Sequence, residues 1–220
     1  MTVSHFVVGE PSAWGPYESA DGRRAMGRVL GRLHAATEYI PADLPRRDDL
    51  AVPARAALLE ALEDLDRPWD TGPYAEPVRR LLQANAGDLE RLLQEYDDLA
   101  AQIRESSESW VVTHGEPHRA NVIRDPQGGV RLVDWDTTLV APRERDLRHV
   151  LDEDLTGWDD YVAAAGGATL SRQAIELYSR WWDLADVTTF VDLFRREHGR
   201  IEDTAKSWEV LSENLSALTR

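Results

Sequence analysis

The chain has 220 residues, of which 42% are apolar and 30% charged, the make-up of a soluble globular protein able to bury a sizeable core. Forty acidic against 25 basic residues leave a formal charge of −15, which argues against a nucleic-acid partner, since phosphate binding needs clustered cations. The absence of cysteine excludes disulfides, thiolate nucleophiles and cysteine-ligated zinc.

Residues 3–8 (VSHFVV), rich in β-branched and aromatic side chains, predict a short strand. A loop punctuated by Gly9, Pro11, Gly15 and Pro16 follows. Met26, Leu30, Leu33 and Thr37 recur at helical spacing, which predicts an amphipathic helix over 21–37. Pro41, Pro45 and Pro53 mark a long connection. Helical patterns return over 54–65, 75–84 and 87–104, the last opening on a cap at Gly87-Asp88 and carrying Leu89, Leu92, Leu93 and Tyr96 on one face. The period then changes. Residues 110–113, 122–124 and 130–134 predict strands, with Asp125-Pro126-Gln127-Gly128-Gly129 as the turn of a hairpin. Beyond Pro142, helices are predicted over 144–154, 157–165, 171–182, 184–198 and 202–218. No repeat or linker interrupts the pattern, so a single domain over 1–220 is expected, an α-rich α+β fold with a small central β-hairpin. No apolar run approaches the roughly 18 residues of a membrane span. The first residues lack the basic start and apolar core of a signal peptide, so a cytoplasmic location is expected.

Residues 114–136 (HGEPHRANVIRDPQGGVRLVDWD) concentrate the chemistry. His114, Glu116, His118, Asn121, Asp134 and Asp136 fall at the ends of predicted strands, where rigid scaffolds present functional groups. One carboxylate to position a hydroxyl and take its proton, with an amide oxygen and a second carboxylate to hold Mg²⁺, is what phosphoryl transfer requires of such a region. Other readings stay open. His114, Glu116 and His118 alternate, and alternate strand residues share a face, which would suit a metal triad, although Pro117 weighs against it. Ordinary loop histidines and turn-capping aspartates are the plainest alternative. The H-x-E of His114–Glu116 is half of a zinc-deaminase signature whose P-C-x-x-C half is excluded here. No G-x-S-x-G supports a serine hydrolase. The eight tryptophans are assigned mostly to the core, with Trp158, Trp181 and Trp182 the alternatives for lining a cleft.

The order of these groups is similar to that of protein kinases, in which an H-R-D-x-x-x-x-N loop precedes a hairpin ending in D-F-G. His114-Gly115-Glu116 stands four residues before Asn121, and Asp134-Trp135-Asp136 closes the hairpin. This resembles the aminoglycoside-phosphotransferase and choline-kinase branch, whose loop reads H-G-D-x-x-x-x-N and often ends in D-W-D. Residues 30–37 (LGRLHAAT) resemble that family's first C-lobe helix, 142–147 (PRERDL) the segment after its metal-binding turn, and 177–198 its late helices. The resemblance thus runs from about residue 3 to the end. It implies a protein-kinase-like C-terminal lobe, ATP and Mg²⁺ as cofactors, and a small-molecule hydroxyl acceptor on an aminoglycoside or another polar natural product, with antibiotic resistance as the setting. It also implies residue roles. Glu116 would be the base or hydroxyl-positioning group, with His114 supporting the catalytic loop and His118 and Arg119 meeting substrate or phosphate. Asn121 and Asp134 would hold the metal, with Asp136 beside them, and Asp146 would brace the loop. The backbone of Phe6, Val7 and Val8 would be the hinge that meets adenine.

Two departures accompany the resemblance. Glu116 stands where the family carries aspartate. The chain is also expected to begin at the hinge, without the ATP-clamping N-terminal lobe, and its one lysine, Lys206, lies in the last predicted helix. A partner chain that supplies the missing lobe, a longer form of the protein, and a lobe repurposed without phosphotransferase activity (a small-molecule-binding pseudo-enzyme or a biosynthetic acid–base enzyme) are the three explanations.

Overall fold

A computed structural model describes residues 8–41, 46–106 and 109–218. The elements run β1 (Glu10–Pro11), α1 (Ala20–Ala35), α2 (Arg55–Glu63), α3 (Ala75–Glu105), β2 (Val111–Thr113), β3 (Val122–Arg124), β4 (Val130–Leu132), β5 (Leu139–Ala141), α4 (Glu144–Leu147), α5 (Trp158–Ala165), α6 (Arg172–Arg195) and α7 (Glu202–Leu218). The predicted strand over 3–8 falls almost wholly outside the described residues, Phe6 and Val7 included, and Val8 is exposed. No helix among the described residues is long and apolar enough to cross a membrane.

The chain divides into two compact units, 1–49 with 106–178 and 50–105 with 179–220. The first contains both sheets. β1, β3 and β4 form an antiparallel sheet in the order β1-β3-β4, and β2 pairs antiparallel with β5. The β3–β4 turn is closed by Asp125, whose carboxylate accepts from the backbone of Gln127 and Gly129 at 3.1 and 2.6 Å. Helix α1 starts at Ser19, whose hydroxyl accepts the Gly22 N–H. Its Gly27 and Gly31 let the backbone of α5 approach so closely that a Cβ at either would strike the carbonyls of Gly157 and Tyr161. Around that contact Tyr17, Met26, Leu30, Val122, Leu147, Val150 and Tyr161 form a buried cluster, each large side chain contributing roughly 1.5–3 kcal/mol relative to exposure.

The second unit is helical. Helix α3 spans 31 residues, about 46 Å at 1.5 Å per residue, and buries Val78, Leu82, Leu89, Leu92, Leu93 and Tyr96 along one stripe. Leu184, Val187, Val191 and Phe194 of α6 and Leu211 and Leu215 of α7 are also buried.

Three element boundaries differ from the sequence expectation. Gly87-Asp88 does not begin a helix, because the buried stripe of α3 passes through it from Leu82 and Asn85 to Leu89. The break expected between 182 and 184 is likewise absent, and α6 is continuous. The helix expected over 144–154 stops after one turn. The Arg23 guanidinium takes the Val150 carbonyl and pairs with Asp152, whose carboxylate accepts the Thr156 N–H at 2.8 Å. A further strand, β5, is three residues long and pairs with β2, too short to stand out in the sequence.

Candidate active site

Strand β2 is buried on both faces and delivers His114 at its end. The next residue, Gly115, has φ +99°, and a Cβ there would collide with the Arg145 guanidinium. Only glycine accepts that conformation and that neighbour cheaply. Arg145 in turn donates to the Thr113 hydroxyl and the Thr137 carbonyl, both at 2.9 Å, and the Thr137 hydroxyl donates to the His114 carbonyl at 2.9 Å. The loop is thus tied to the residues that follow the hairpin.

Asp146 braces the same loop from the other side. Its side chain is fully buried and accepts from the backbone N–H of His114 at 2.8 Å, of Gly115 at 2.6 Å, and from His34 Nε2 at 3.0 Å. Burial opposes the carboxylate's charge, but the bonds from His34 and the two backbone amides outweigh it and hold its pKa below the usual range. His34 Nδ1 meets the Tyr161 hydroxyl at 2.8 Å. With Nε2–H directed at a carboxylate, the network assigns Nδ1 as the acceptor and the tyrosine as the donor. Burial pushes the Tyr161 hydroxyl up to about 12, so it keeps that proton.

His114 is fully buried, with Nε2 2.9 Å from the Val133 carbonyl and Nδ1 3.3 Å from the Glu116 N–H. The consistent tautomer carries its hydrogen on Nε2 and accepts at Nδ1. Burial holds its pKa down despite the Asp146 carboxylate, so a neutral ring serves as a spacer between loop and hairpin. The edge of this ring meets Trp135, centroids 4.6 Å apart.

The partly exposed Glu116 carboxylate lies 3.7 Å from His118 Nε2. Asn121 donates through Nδ2 to the Glu116 carbonyl at 3.0 Å, and the same nitrogen is 3.5 Å from His118 Nε2. That fixes the amide's orientation and leaves Oδ1 without a protein partner among the described residues. The Asn121 carbonyl accepts the Val133 N–H at 3.0 Å, one residue before Asp134, so Asn121 and Asp134 stand at one end of the hairpin. Asp134 is exposed in the left-handed region, φ +66°, which aspartate tolerates better than most residues. Asp136, also exposed, lies two residues on. Neither aspartate makes a hydrogen bond or ion pair with a described residue.

The sequence profile of the phosphotransferase enzyme family matches residues 8–182. The chain belongs to the phosphotransferase enzyme family. Spectinomycin phosphotransferase, solved with ADP and spectinomycin, matches with a TM-score of 0.73 at 16% identity, over 97% of this chain and 70% of its own. An aminoglycoside phosphotransferase from Alicyclobacillus acidocaldarius gives 0.59 at 17% identity, over 97% and 68%. Choline kinase LicA from Streptococcus pneumoniae gives 0.51 at 14%, over 90% and 64%. At these identities the likeness is one of fold, and that fold is the kinase-like, α-rich α+β arrangement expected from the sequence. No curated protein matches the sequence significantly.

Within this phosphotransferase-family chain, a His114–Glu116–His118 metal triad does not form. Both His114 nitrogens are engaged by the backbone, and no group of three His, Asp or Glu residues suited to a metal occurs among the described residues. A different donor set fits Mg²⁺ better: an oriented amide oxygen on Asn121 and the unpartnered carboxylates of Asp134 and Asp136, all hard oxygens. Sequence reasoning missed His34, Tyr17 and Arg145. His34 falls one turn after Leu30 on the buried stripe of α1, and a histidine on an apolar stripe calls for a buried partner. The Tyr17 hydroxyl donates to the Pro117 carbonyl at 2.8 Å, a contact 100 residues apart that no local pattern signals.

Proposed function

We propose that the chain transfers a phosphoryl group from ATP, in the presence of Mg²⁺, to a hydroxyl of a small polar molecule, an aminoglycoside or a related natural product, in the cytoplasm. The observation that carries this reading is the backbone weave of the loop: the Asn121 amide on the Glu116 carbonyl and the Val133 N–H on the Asn121 carbonyl. It ties the Glu116 and Asn121 backbones to the end of the hairpin that carries Asp134. Family membership and the ADP-bound spectinomycin phosphotransferase support the nucleotide and the acceptor class.

In this reaction the acceptor oxygen forms a bond to the terminal phosphorus of ATP as the bond to the ADP oxygen breaks. Glu116 aligns the hydroxyl and takes its proton. His118 Nε2 lies 3.7 Å from that carboxylate, within reach of an ion pair when the ring is protonated. Asn121 Oδ1 and Asp134 would hold Mg²⁺, with Asp136 beside them, and the ion would supply charge neutralisation at the phosphates. Lys206 is the sole lysine, so on this reading the glycine-rich loop and its lysine come from outside these residues, in a partner chain or a longer form of the polypeptide.

Calorimetric titration with ATP and Mg²⁺ tests the proposal, with Asp134→Asn as the control and phosphorus NMR of candidate acceptors as the readout of transfer. Binding that the control abolishes supports the metal site. No binding at millimolar nucleotide would sink the stand-alone kinase and favour a repurposed lobe or a missing partner.

A further inference from the structure

We propose that a cavity at the start of α1, behind the catalytic loop, is a subsite for a small oxyanion, a carboxylate or phosphate group recognised by Arg124. The cavity has a volume of about 150 Å³, room for a tetrahedral oxyanion, and Arg119, Arg124, Ser12, Ser19, Glu18 and Tyr17 line it. What these groups have left to offer is almost entirely donors. The exposed guanidinium of Arg124 makes no hydrogen bond or ion pair with any described residue. Arg131 on the same hairpin pairs with Asp125, and Arg23 of α1 pairs with Asp152. The one carboxylate of the lining, Glu18, is already neutralised by Arg119 at 2.6 Å, so it does not repel an anion. Ser19 Oγ accepts the Gly22 N–H, which leaves its own hydrogen to donate, and no partner among the described residues takes the Ser12 hydroxyl. A guanidinium with five N–H groups in a planar fork, flanked by two hydroxyls, matches the paired oxygens of a carboxylate or phosphate.

The subsite is separate from the proposed nucleotide and metal groups. Val122 and Arg124 face one side of β3 and Ile123 the other, because strand side chains alternate. Ile123 turns toward Gly9, whereas the cavity is on the Val122 side. The two regions are linked through Tyr17, whose ring lines the cavity and whose hydroxyl holds the Pro117 carbonyl between Glu116 and His118. An occupant of the cavity therefore bears on the catalytic loop through the Tyr17 hydrogen bond and directly through Arg119.

The test titrates the 220-residue chain with sodium phosphate and, separately, sodium acetate at constant ionic strength, read by calorimetry and by amide NMR shifts around residues 12–22. The expected result is saturable binding with a millimolar dissociation constant that Arg124→Gln weakens at least tenfold. Phosphate preference would assign a phosphate ligand and acetate preference a carboxylate one. Arg124→Met, which keeps an unbranched stem without the charge, serves as a second variant if the glutamine change disturbs folding. Asp134→Asn is expected to leave anion binding unchanged, which separates this proposal from the phosphotransferase one. No saturable binding up to about 50 mM, or undiminished binding by the Arg124 variants, would overturn it, as would displacement of phosphate by ADP that Asp134→Asn abolishes.

Discussion

Replacing Asp146 with asparagine changes one atom of the site and predicts a large loss. One carboxylate oxygen accepts from His114 N–H and His34 Nε2, the other from Gly115 N–H at 2.6 Å. An asparagine supplies a single acceptor oxygen, so whichever way it is turned its NH₂ faces at least one donor in a site sealed from water. Charged hydrogen bonds are worth about 1.5–3 kcal/mol each, and a buried donor left unmet costs about 1–3 kcal/mol more, so the expected destabilisation is about 3–5 kcal/mol. Against a total of about 5–15 kcal/mol this is severe. At roughly 2–4 °C per kcal/mol for a chain this size, the Tm should fall by about 6–20 °C. Urea unfolding followed by circular dichroism measures the loss, and amide exchange at His114 and Gly115 localises it. The pH dependence gives an independent readout. The unfolded carboxyl titrates near 3.9 and the folded one below that, so its contribution is present above about pH 4 and is lost as pH falls through the folded value. Asp146→Asn should remove that part of the acid limb. A loss under about 1 kcal/mol, or an unchanged acid limb, would refute the account of Asp146 as the loop's brace.

Gly115→Ala forces a side chain into the left-handed region and against the Arg145 guanidinium, so it should lower the Tm by several degrees and reduce phosphotransfer, measured by thermal melting and coupled turnover. His149 is held down to about 3, chiefly by burial and then by Arg148 and His118, against the Asp146 carboxylate. The unfolded histidine binds its proton near pH 6.5, so stability should fall as pH drops from about 6.5 toward 3, and His149→Gln should flatten that slope in urea titrations. Asp134→Asn keeps a residue that tolerates positive φ and breaks no protein contact, so it should leave the Tm within about 1 °C while abolishing Mg²⁺-dependent nucleotide binding. Gly87 is exposed in the interior of α3 with open space around its Cβ, so Gly87→Ala should raise stability by about 1 kcal/mol in urea unfolding.

Much of the fold was legible because its elements obey simple periods. The strands at 111–113, 122–124 and 130–132 follow β-branched runs and a strong turn signal, and α1 and α7 follow their apolar stripes. The errors came where a local signal competed with a longer one. Gly87-Asp88 looks like a helix start, yet the stripe of buried residues running through it decides the outcome. The candidate site residues Glu116, Asn121 and Asp134 stand out in the sequence because they are neighbours there and carry polar groups where strands end. Of the supports, Asp146 and His114 came with the family resemblance, and the others were not legible. His34, Tyr17 and Arg145 act through contacts with residues 112, 100 and 32 positions away, and such pairings are set by tertiary packing.

What Asp146 grips is main chain: two amide groups that any residue would present. The path of the loop is therefore specified largely from outside it, and the side chains at 116 and 118 hang from a frame they do not build. A glutamate in place of an aspartate at 116 can change the reach of the chemistry without re-laying the frame. For laboratory evolution this makes positions 116 and 118 a socket, where libraries can vary the side chains at little cost to folding, while Gly115, Arg145 and Asp146 stay fixed.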